Sequence, residues 1–382
     1  MKISCTQENL NQGLFIVSHL AAKSAALPIL NNILIQASEN LIKLSATNLE
    51  IGVTCGVRGK VEEEGDFTVQ SKLFADYVSL LPKDRVDLTV DKNQENNQNL
   101  EVKCKNHATK IKGQLAADFP LIPQINKTNP YVVDYQKFRQ AISQVIFAVS
   151  ISETRPEISG VFFNFTKNQL ILAATDSYRL AEKKIDLDKK NKDEEKKFIV
   201  PARALQELQR ILGSFKDPAA ISEIEFVEIY LGENQILFRI DSVELISRLV
   251  EGQYPDYQQI IPQTANTKIT ANTAELIKAI KAASLFARSG IYDVSLEVNP
   301  DKKIILISAA NSQLGENRSE ISAEITGENN ATVVNFRYLL DGLQNIDSEE
   351  ILINIIDGNS PCLIQTSEKS VDYLYIIMPI KQ

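Results

Sequence analysis

The sequence predicts an α+β protein built from three copies of one domain, each with two helices packed on an antiparallel sheet. Three observations predict it. One motif recurs at a spacing of roughly 130 residues, as ATNLEIGVTC from Ala46, ATDSYRLAEKKI from Ala174 and ANSQLGENRSEI from Ala310. Each recurrence follows a strand-like apolar run and precedes a helix-like one, so the whole unit repeats and not the motif alone. Two proline-bearing seams, DFPLIPQINKTNP from Asp118 and EGQYPDYQQIIPQTANT from Glu251, read as extended linkers. They give predicted domains at residues 1–125, 127–257 and 258–382.

Each third opens on a helix: LNQGLFIVSHLAAK from Leu10, QKFRQAISQVIFAV from Gln136 and AELIKAIKAASLFAR from Ala274. Apolar residues spaced by three and four, such as Leu10, Leu14 and Val17 or Phe138, Ile142 and Val145, give each helix one inward face. A hairpin follows in NNILIQASENLIKLSAT, GVFFNFTKNQLILAAT and VSLEVNPDKKIILISAA, where apolar runs are split by ASEN, TKNQ or NPDKK. A short strand then leads into a second helix, in FTVQSKLFADYVSLL, FIVPARALQELQRIL and TVVNFRYLLDGLQNI. Aligning these puts Lys72, Arg203 and Arg337 at one position, two residues before Phe74, Leu205 and Leu339. Further strands are VDLTV, LEVKCKN and TKIKGQL, then IEFVEIYLG, ILFRID and ELISRLV, then ILINII, CLIQTS and YLYIIMPI. The charged run DLDKKNKDEEKK from Asp186 reads as a solvated loop.

Composition narrows the function classes. The chain has 382 residues, 44% hydrophobic and 24% charged, enough for two or three globular cores. No apolar stretch approaches a membrane span and the first residues are too polar for a secretory signal, so a cytoplasmic protein with no membrane partner is expected. Four cysteines far apart with no CxxC pair, and only His19 and His107 as histidines, predict no metal site. No nucleophile elbow, zinc-helix pair or dinucleotide fingerprint occurs, and GVRGK from Gly56 fails the P-loop spacing. A binding role without catalytic residues or cofactors is therefore expected. The acidic run VEEEGD from Val61 reads as a solvated hairpin tip.

Charge is sorted by element. The six predicted helices, at 6–23, 71–81, 136–149, 201–213, 273–288 and 335–345, carry ten Lys/Arg and five Asp/Glu, a net +5 in a chain of net −8. Basic charge thus sits on helices and acidic charge elsewhere. Lys23, Lys72, Lys137, Arg139, Arg203, Arg210, Lys278, Lys281, Arg288 and Arg337 could face a polyanion without reading its sequence, or be ordinary solvated helix faces.

Six motifs in order, LPILNNILI from Leu27, LAADFPLIP from Leu115, ATDSYRLA from Ala174, FIVPARAL from Phe198, YPDYQQIIP from Tyr254 and YIIMPI from Tyr375, resemble the bacterial sliding clamp family along essentially the whole chain. The resemblance implies three clamp domains per chain and a head-to-tail homodimeric ring around double-stranded DNA. Twelve helices about 10 Å wide on a circle would leave a bore of roughly 28 Å. DNA would be contacted without sequence specificity by Lys23, Ser24, Lys72, Lys137, Arg139, Ser152, Arg203, Arg210, Lys278, Lys281 and Arg337. The edge strand with Thr109 and Ile111 would meet the helix carrying Leu285 and Phe286 of a second copy.

By the same resemblance, short peptides of the replicative polymerase, the clamp loader and repair proteins would enter one pocket. It would comprise Ile158, Thr175, Ser177, Tyr178, Arg179, Leu180, Pro255, Gln259, Ile260, Asn359, Ser360, Pro361, Ile376, Met378, Pro379 and Ile380, with Arg179 or backbone groups orienting the peptide. For Leu180, Ile376 and Met378 a place in the domain core is the alternative. Tyr178 stands where many relatives have His, Gln259 where some have Arg, and Ser24 where some have an arginine. The implied function is that of a non-catalytic processivity factor in a DNA polymerase III holoenzyme. A non-replicative protein-binding scaffold of the same repeated domain is the second reading. An enzyme using carboxylates near Asp176 or Asp357 with Arg179 is the third.

Overall fold

A computed structural model describes residues 1–21, 27–39, 41–90, 99–152, 154–187, 195–215, 225–366 and 372–381. Lys23, Ser24 and most of the charged run after Asp186 lie outside the described residues. The first third contains β1 (Lys2–Thr6), α1 (Gln7–Ser18), β2 (Asn32–Ser38), β3 (Leu41–Thr47), β4 (Ile51–Val57), β5 (Gly59–Glu63), β6 (Gly65–Gln70), α2 (Ser71–Ser79), β7 (Arg85–Val90), β8 (Asn99–Cys104) and β9 (His107–Gln114). The second contains β10 (Tyr131–Asp134), α3 (Tyr135–Ile146), β11 (Gly160–Phe165), β12 (Gln169–Thr175), β13 (Arg179–Asp186), β14 (Lys196–Pro201), α4 (Ala202–Leu212), β15 (Phe226–Leu231), β16 (Gln235–Ile240) and β17 (Val243–Arg248). The third contains β18 (Thr267–Asn272), α5 (Thr273–Ser284), β19 (Asp293–Asn299), β20 (Ile304–Asn311), β21 (Gly315–Gly327), β22 (Asn330–Asn335), α6 (Phe336–Gln344), β23 (Glu350–Ile355), β24 (Cys362–Thr366) and β25 (Tyr373–Ile377). Three passes of one element order are visible.

The helices start where side chains take over orphan amides. Thr6 Oγ1 accepts from the amide of Asn9 at 3.2 Å, Asn272 Oδ1 from Glu275 at 3.0 Å, and Asn335 Oδ1 from Arg337 at 2.9 Å. Their inward faces are buried as the periodicity requires, with Leu10, Leu14 and Val17 on α1 and Leu276, Ile280 and Ala283 on α5. Three helices end well before the predicted residue. α1 stops at Ser18, α3 at Ile146 and α5 at Ser284, after which the chain tightens through Phe286 N to Ala283 O and Ala287 N to Ser284 O. Arg288 therefore leaves the helix, and its Nε donates to Asp293 Oδ2 at 2.8 Å.

Two compact units form, Met1–Tyr135 with Gln206–Leu249, and Gln136–Leu205 with Val250–Gln382. The first holds a 13-stranded sheet in the order β10-β15-β16-β17-β4-β3-β2-β6-β9-β8-β7-β1-β5. The second holds a 12-stranded sheet, β14-β11-β12-β13-β25-β24-β23-β18-β21-β20-β19-β22. In each, the last strand of one repeat adds antiparallel to the strand that follows the recurring motif of the repeat before it. In the first unit β17 pairs with β4, with Ile246 opposite Gly52. In the second β25 pairs with β13, with Ile376 opposite Leu180. β4 and β13, which run on from the first two copies of the recurring motif, are thus the strands that carry the joints.

The third copy of each partner is left over. β9, the counterpart of β17 and β25, pairs with β8 along most of its length and touches β6 only at Gly113 and Gln114. β21 pairs with β20 through residues 315–322 and with β18 through 323–327, so one edge of its first half is open. Gly113 has no substitute where β9 meets β6: an added Cβ would lie 2.1 Å from Thr68 O. Gly342 on α6 has the same constraint, since a Cβ there would fall 2.2 Å from the ring of Tyr375. That clearance is what seats α6 on β25, whose five residues are all buried.

Candidate functional site

The motif ATDSYR folds into a turn that its own side chains hold. Thr175 Oγ1 donates to Arg179 O at 2.6 Å and accepts from Ser177 N at 3.1 Å, while Asp176 Oδ1 accepts from the amides of Tyr178 and Arg179 at 2.9 and 3.0 Å. Ser177 takes the left-handed conformation the turn needs, with φ 79°. The turn aims Tyr178 outward, 63% exposed, and stacks its ring on Tyr338 of α6 at 6.4 Å.

Arg179 turns the other way. Its Nε donates to Asp176 Oδ2 at 3.0 Å, one terminal nitrogen to Asp341 Oδ2 at 2.6 Å and the other to Phe147 O at 2.7 Å. The guanidinium carbon lies 4.5 Å from the ring centroid of Tyr338 and 5.5 Å from that of Phe147. Arg179 therefore orients the turn rather than an incoming peptide. Tyr338, Asp341 and Phe147 lie in the repeating helix stretches but in none of the six family motifs, although Tyr338 and Asp341, three apart on one helix, share a face.

Beneath the turn lies an apolar floor. Ile158, Leu180 and Ile376 form one buried cluster with Ala173, Ile199, Tyr254, Tyr257, Leu363 and Leu374, and Ile261 packs against it. The structure thus places Leu180, Ile376 and Ile158 in the core, as a floor rather than an open wall: strand pairing buries the first two, and the 3-10 turn Pro156–Ile158 packs the third against them. Thr175 is also buried. The exposed rim is Tyr178, Gln259, Ile260, Asn359 and Ser177, with Pro255, Ser360, Pro361, Met378, Pro379 and Ile380 half-buried. Met378 N donates to Tyr178 O at 2.9 Å and Ile380 N to Val333 O at 2.7 Å, so the chain after β25 is fastened beside the turn.

The seam from Glu251 is not simply extended, because Tyr257–Ile260 forms a 3-10 turn that lifts Ile260 into solvent. Tyr254 stacks on Phe162 at 4.9 Å, and Tyr257 donates its hydroxyl to the buried Glu182 at 2.5 Å. Burial and the Glu182 carboxylate push the Tyr257 phenol far above its usual range. Burial raises the Tyr254 phenol in the same direction.

The candidate polyanion contacts separate into two groups. Lys72, Arg203 and Arg337 are each the second residue of their helix, α2, α4 and α6, and all three are exposed. A cation there opposes the helix dipole, so helix stability does not account for the repetition. Lys137, Lys278 and Lys281 are exposed and Arg139 is half-buried. Arg337 packs over the ring of Tyr292 at 3.6 Å. Ser152 is exposed, its hydroxyl 2.8 Å from that of Thr154. Arg210 differs from the expectation. It donates to Glu207 at 2.6 Å and to the α1 carbonyls of Phe15 and Ile16, and it lies over the Phe15 ring at 5.3 Å. A cation at the C-terminal end of α1 suits that helix's dipole, which makes Arg210 a packing residue.

At the open edges, Thr109 on β9 is half-buried and Ile111 is buried within its own sheet. Leu285 caps the end of α5 and is 71% exposed, with Phe286 half-buried one residue further on. The carboxylates considered for catalysis hold turns instead: Asp176 as above, and Asp357, whose Oδ1 accepts from the amides of Asn359 and Ser360 at 2.8 Å each. Those amides hold the Asp357 carboxyl below the usual range. Among the described residues no group of three His, Cys, Asp or Glu could hold a metal, and no helix is long and apolar enough to cross a membrane.

Comparison with known proteins agrees with the three-fold repeated domain. Residues 1–123, 132–256 and 258–381 match the N-terminal, central and C-terminal domain families of the DNA polymerase III beta subunit. A "Beta sliding clamp" of Synechocystis is 27% identical over 395 residues, covering 100% of this chain and 99% of its own length. One from Staphylococcus aureus is 30% identical over 366 residues, covering 93% and 92%. A solved DNA polymerase sliding clamp from Bacillus subtilis superposes with a TM-score of 0.91 at 29% identity, covering 100% of this chain and 99% of that one. The beta subunit of Thermotoga maritima does so with 0.89 at 26%, with the same coverage. Three domain matches that together span nearly the whole length leave one conclusion: the chain belongs to the DNA polymerase III beta subunit family, the bacterial sliding clamps.

Proposed function

We infer that two copies of this chain close head to tail around duplex DNA, slide along it, and tether the replicative polymerase as a non-catalytic processivity factor. One observation carries the assembly. Two of the three joints that the repeat makes possible form within a chain, β17 on β4 and β25 on β13, and the β9 and β21 edges remain for a second chain. A contact between two different edges is heterologous, and it must close on itself or grow without end. Charge leans the same way, since exposed Lys110 and Lys112 lie on β9, while on β21 exposed Glu316 and Glu320 flank Arg318, which pairs with Glu316 at 3.8 Å. Leu285 and Phe286 supply apolar area at the joint.

Lys72, Lys137, Arg139, Arg203, Lys278, Lys281 and Arg337, with Ser152, are the proposed DNA-facing residues. Topological enclosure lets such contacts stay few and salt-sensitive, which permits sliding. The rim of Tyr178, Gln259, Ile260, Met378, Pro379 and Ile380 over the Leu180–Ile376 floor is the proposed pocket for short hydrophobic peptides of polymerase, clamp loader and repair proteins. No residue of either set is placed for chemistry, and the working compartment is the cytoplasm. Covalently closed dimers retained on circular DNA and lost from linear DNA would bear this out. Equal loss from both would leave a protein-binding scaffold as the reading.

A further inference from the structure

We propose that the first joint, where β17 meets β4, is a second peptide-docking groove, suited to a short extended peptide with an aliphatic side chain beside a carboxylate. The inference rests on reading the Thr175–Arg179 frame as a peptide pocket. That frame is present twice. Thr47 Oγ1 donates to Ile51 O at 2.9 Å and accepts from Leu49 N at 3.0 Å, and Asn48 Oδ1 accepts from Glu50 and Ile51 amides at 3.0 and 2.8 Å. These are the bonds of Thr175 and Asp176, made in the same order. Leu49 has φ 76° where Ser177 has 79°. The equivalence fixes what differs: Gly52 for Leu180, Glu50 for Tyr178 and Arg248 for Met378.

A groove of about 270 Å³ opens at this copy, lined by Leu49, Ile51, Leu121 and Ile246 among others. Leu49 is 50% and Leu121 96% exposed, so two large aliphatic side chains converge on it without burial of their own. A leucine held in left-handed backbone and half in water carries strain that packing of its own domain does not repay. At Gly52 an added Cβ would stand 2.8 Å from Ile122 Cγ2 and 3.0 Å from Ile246 Cγ2, so the Ile122 side chain occupies the space that a leucine at this position would need. At its mouth Glu50 and Arg248 are exposed, and neither side chain makes an ion pair among the described residues. Arg248 would take a peptide carboxylate through its planar fork, which Met378 cannot do.

The test uses the full chain and the capped pentapeptide Ser-Leu-Ser-Leu-Asp, whose leucines can point one way from an extended backbone. Titration calorimetry is expected to read two peptides per chain, falling to one with Leu121→Glu and to one with Met378→Glu, and to none with both, because each added carboxylate repels the peptide's own. Leu121 is on the surface, so its replacement leaves folding intact. A single peptide per chain, lost with Met378→Glu and indifferent to Leu121→Glu, overturns the second groove and keeps the pocket. A single peptide lost only with Leu121→Glu keeps the groove and removes the pocket reading. No binding by the unaltered chain overturns both.

Discussion

Replacing Arg179 with alanine should loosen the turn that bears Tyr178 while leaving the rest of the fold in place. The guanidinium is 11% exposed and donates to Asp176, which is 14% exposed, to Asp341, which is 45% exposed, and to the Phe147 carbonyl. The half-exposed Asp341 loses little, under about 1 kcal/mol, because water replaces the partner. The buried bonds to Asp176 and Phe147 O contribute about 1 kcal/mol each, and stacking between Phe147 and Tyr338 adds roughly 0.5 kcal/mol. The expected cost is thus about 2.5–3.5 kcal/mol, which corresponds to roughly 70- to 370-fold faster exchange of the amides in residues 175–180. Hydrogen exchange read by mass spectrometry measures this directly. Lysine should recover little, since it cannot span two acceptors and two rings. An acceleration below threefold would refute the claim that Arg179 fastens the turn.

Charge reversal at Lys72, Arg203 and Arg337 together should cut loading onto DNA by about tenfold or more and flatten its salt dependence, with the dimer unchanged by sedimentation. If loading is unaltered, the helix N-terminal cations do not face DNA. Removal of residues 378–382 should abolish polymerase capture in a pull-down while closed dimers persist, because these residues belong to the proposed pocket and not to the β9 or β21 edges. Gly113→Val should destabilise the first unit by about 3 kcal/mol in urea titration, as no rotamer clears the Thr68 carbonyl and the β6–β9 pairing must part.

The periodicities are sufficient for the helices, because amphipathic faces such as Leu10–Leu14–Val17 repeat at helical spacing whatever the tertiary context. Helix ends are not legible in the same way. Leu285–Arg288 continue the helical pattern of α5, but the 3-10 tightening and the Arg288–Asp293 pair end it early. The joints are half legible: ATDSYR and ATNLEI announce the same turn, yet that β13 and β4 receive strands from the following repeat is a matter of topology that local pattern does not encode. Side-chain direction is the hardest part. Arg179 and Arg210 look like ligand-facing cations, and each is instead held by carboxylates and carbonyls, some brought from far along the chain. The aromatic set Phe162, Tyr254 and Tyr257 is visible as letters, but not as a stack under the seam.

The unpaired edges of β9 and β21 make each chain polar in the sense that a brick with a stud and a socket is polar. Addition of a second chain consumes one stud and one socket and leaves the other two, so only the bend accumulated along the strand-to-strand joins decides between a closed pair and an endless fibre. Small angular changes at β4–β17 or β13–β25 therefore act far from where they occur. A variant there can keep every residue folded and still be lost to polymerisation.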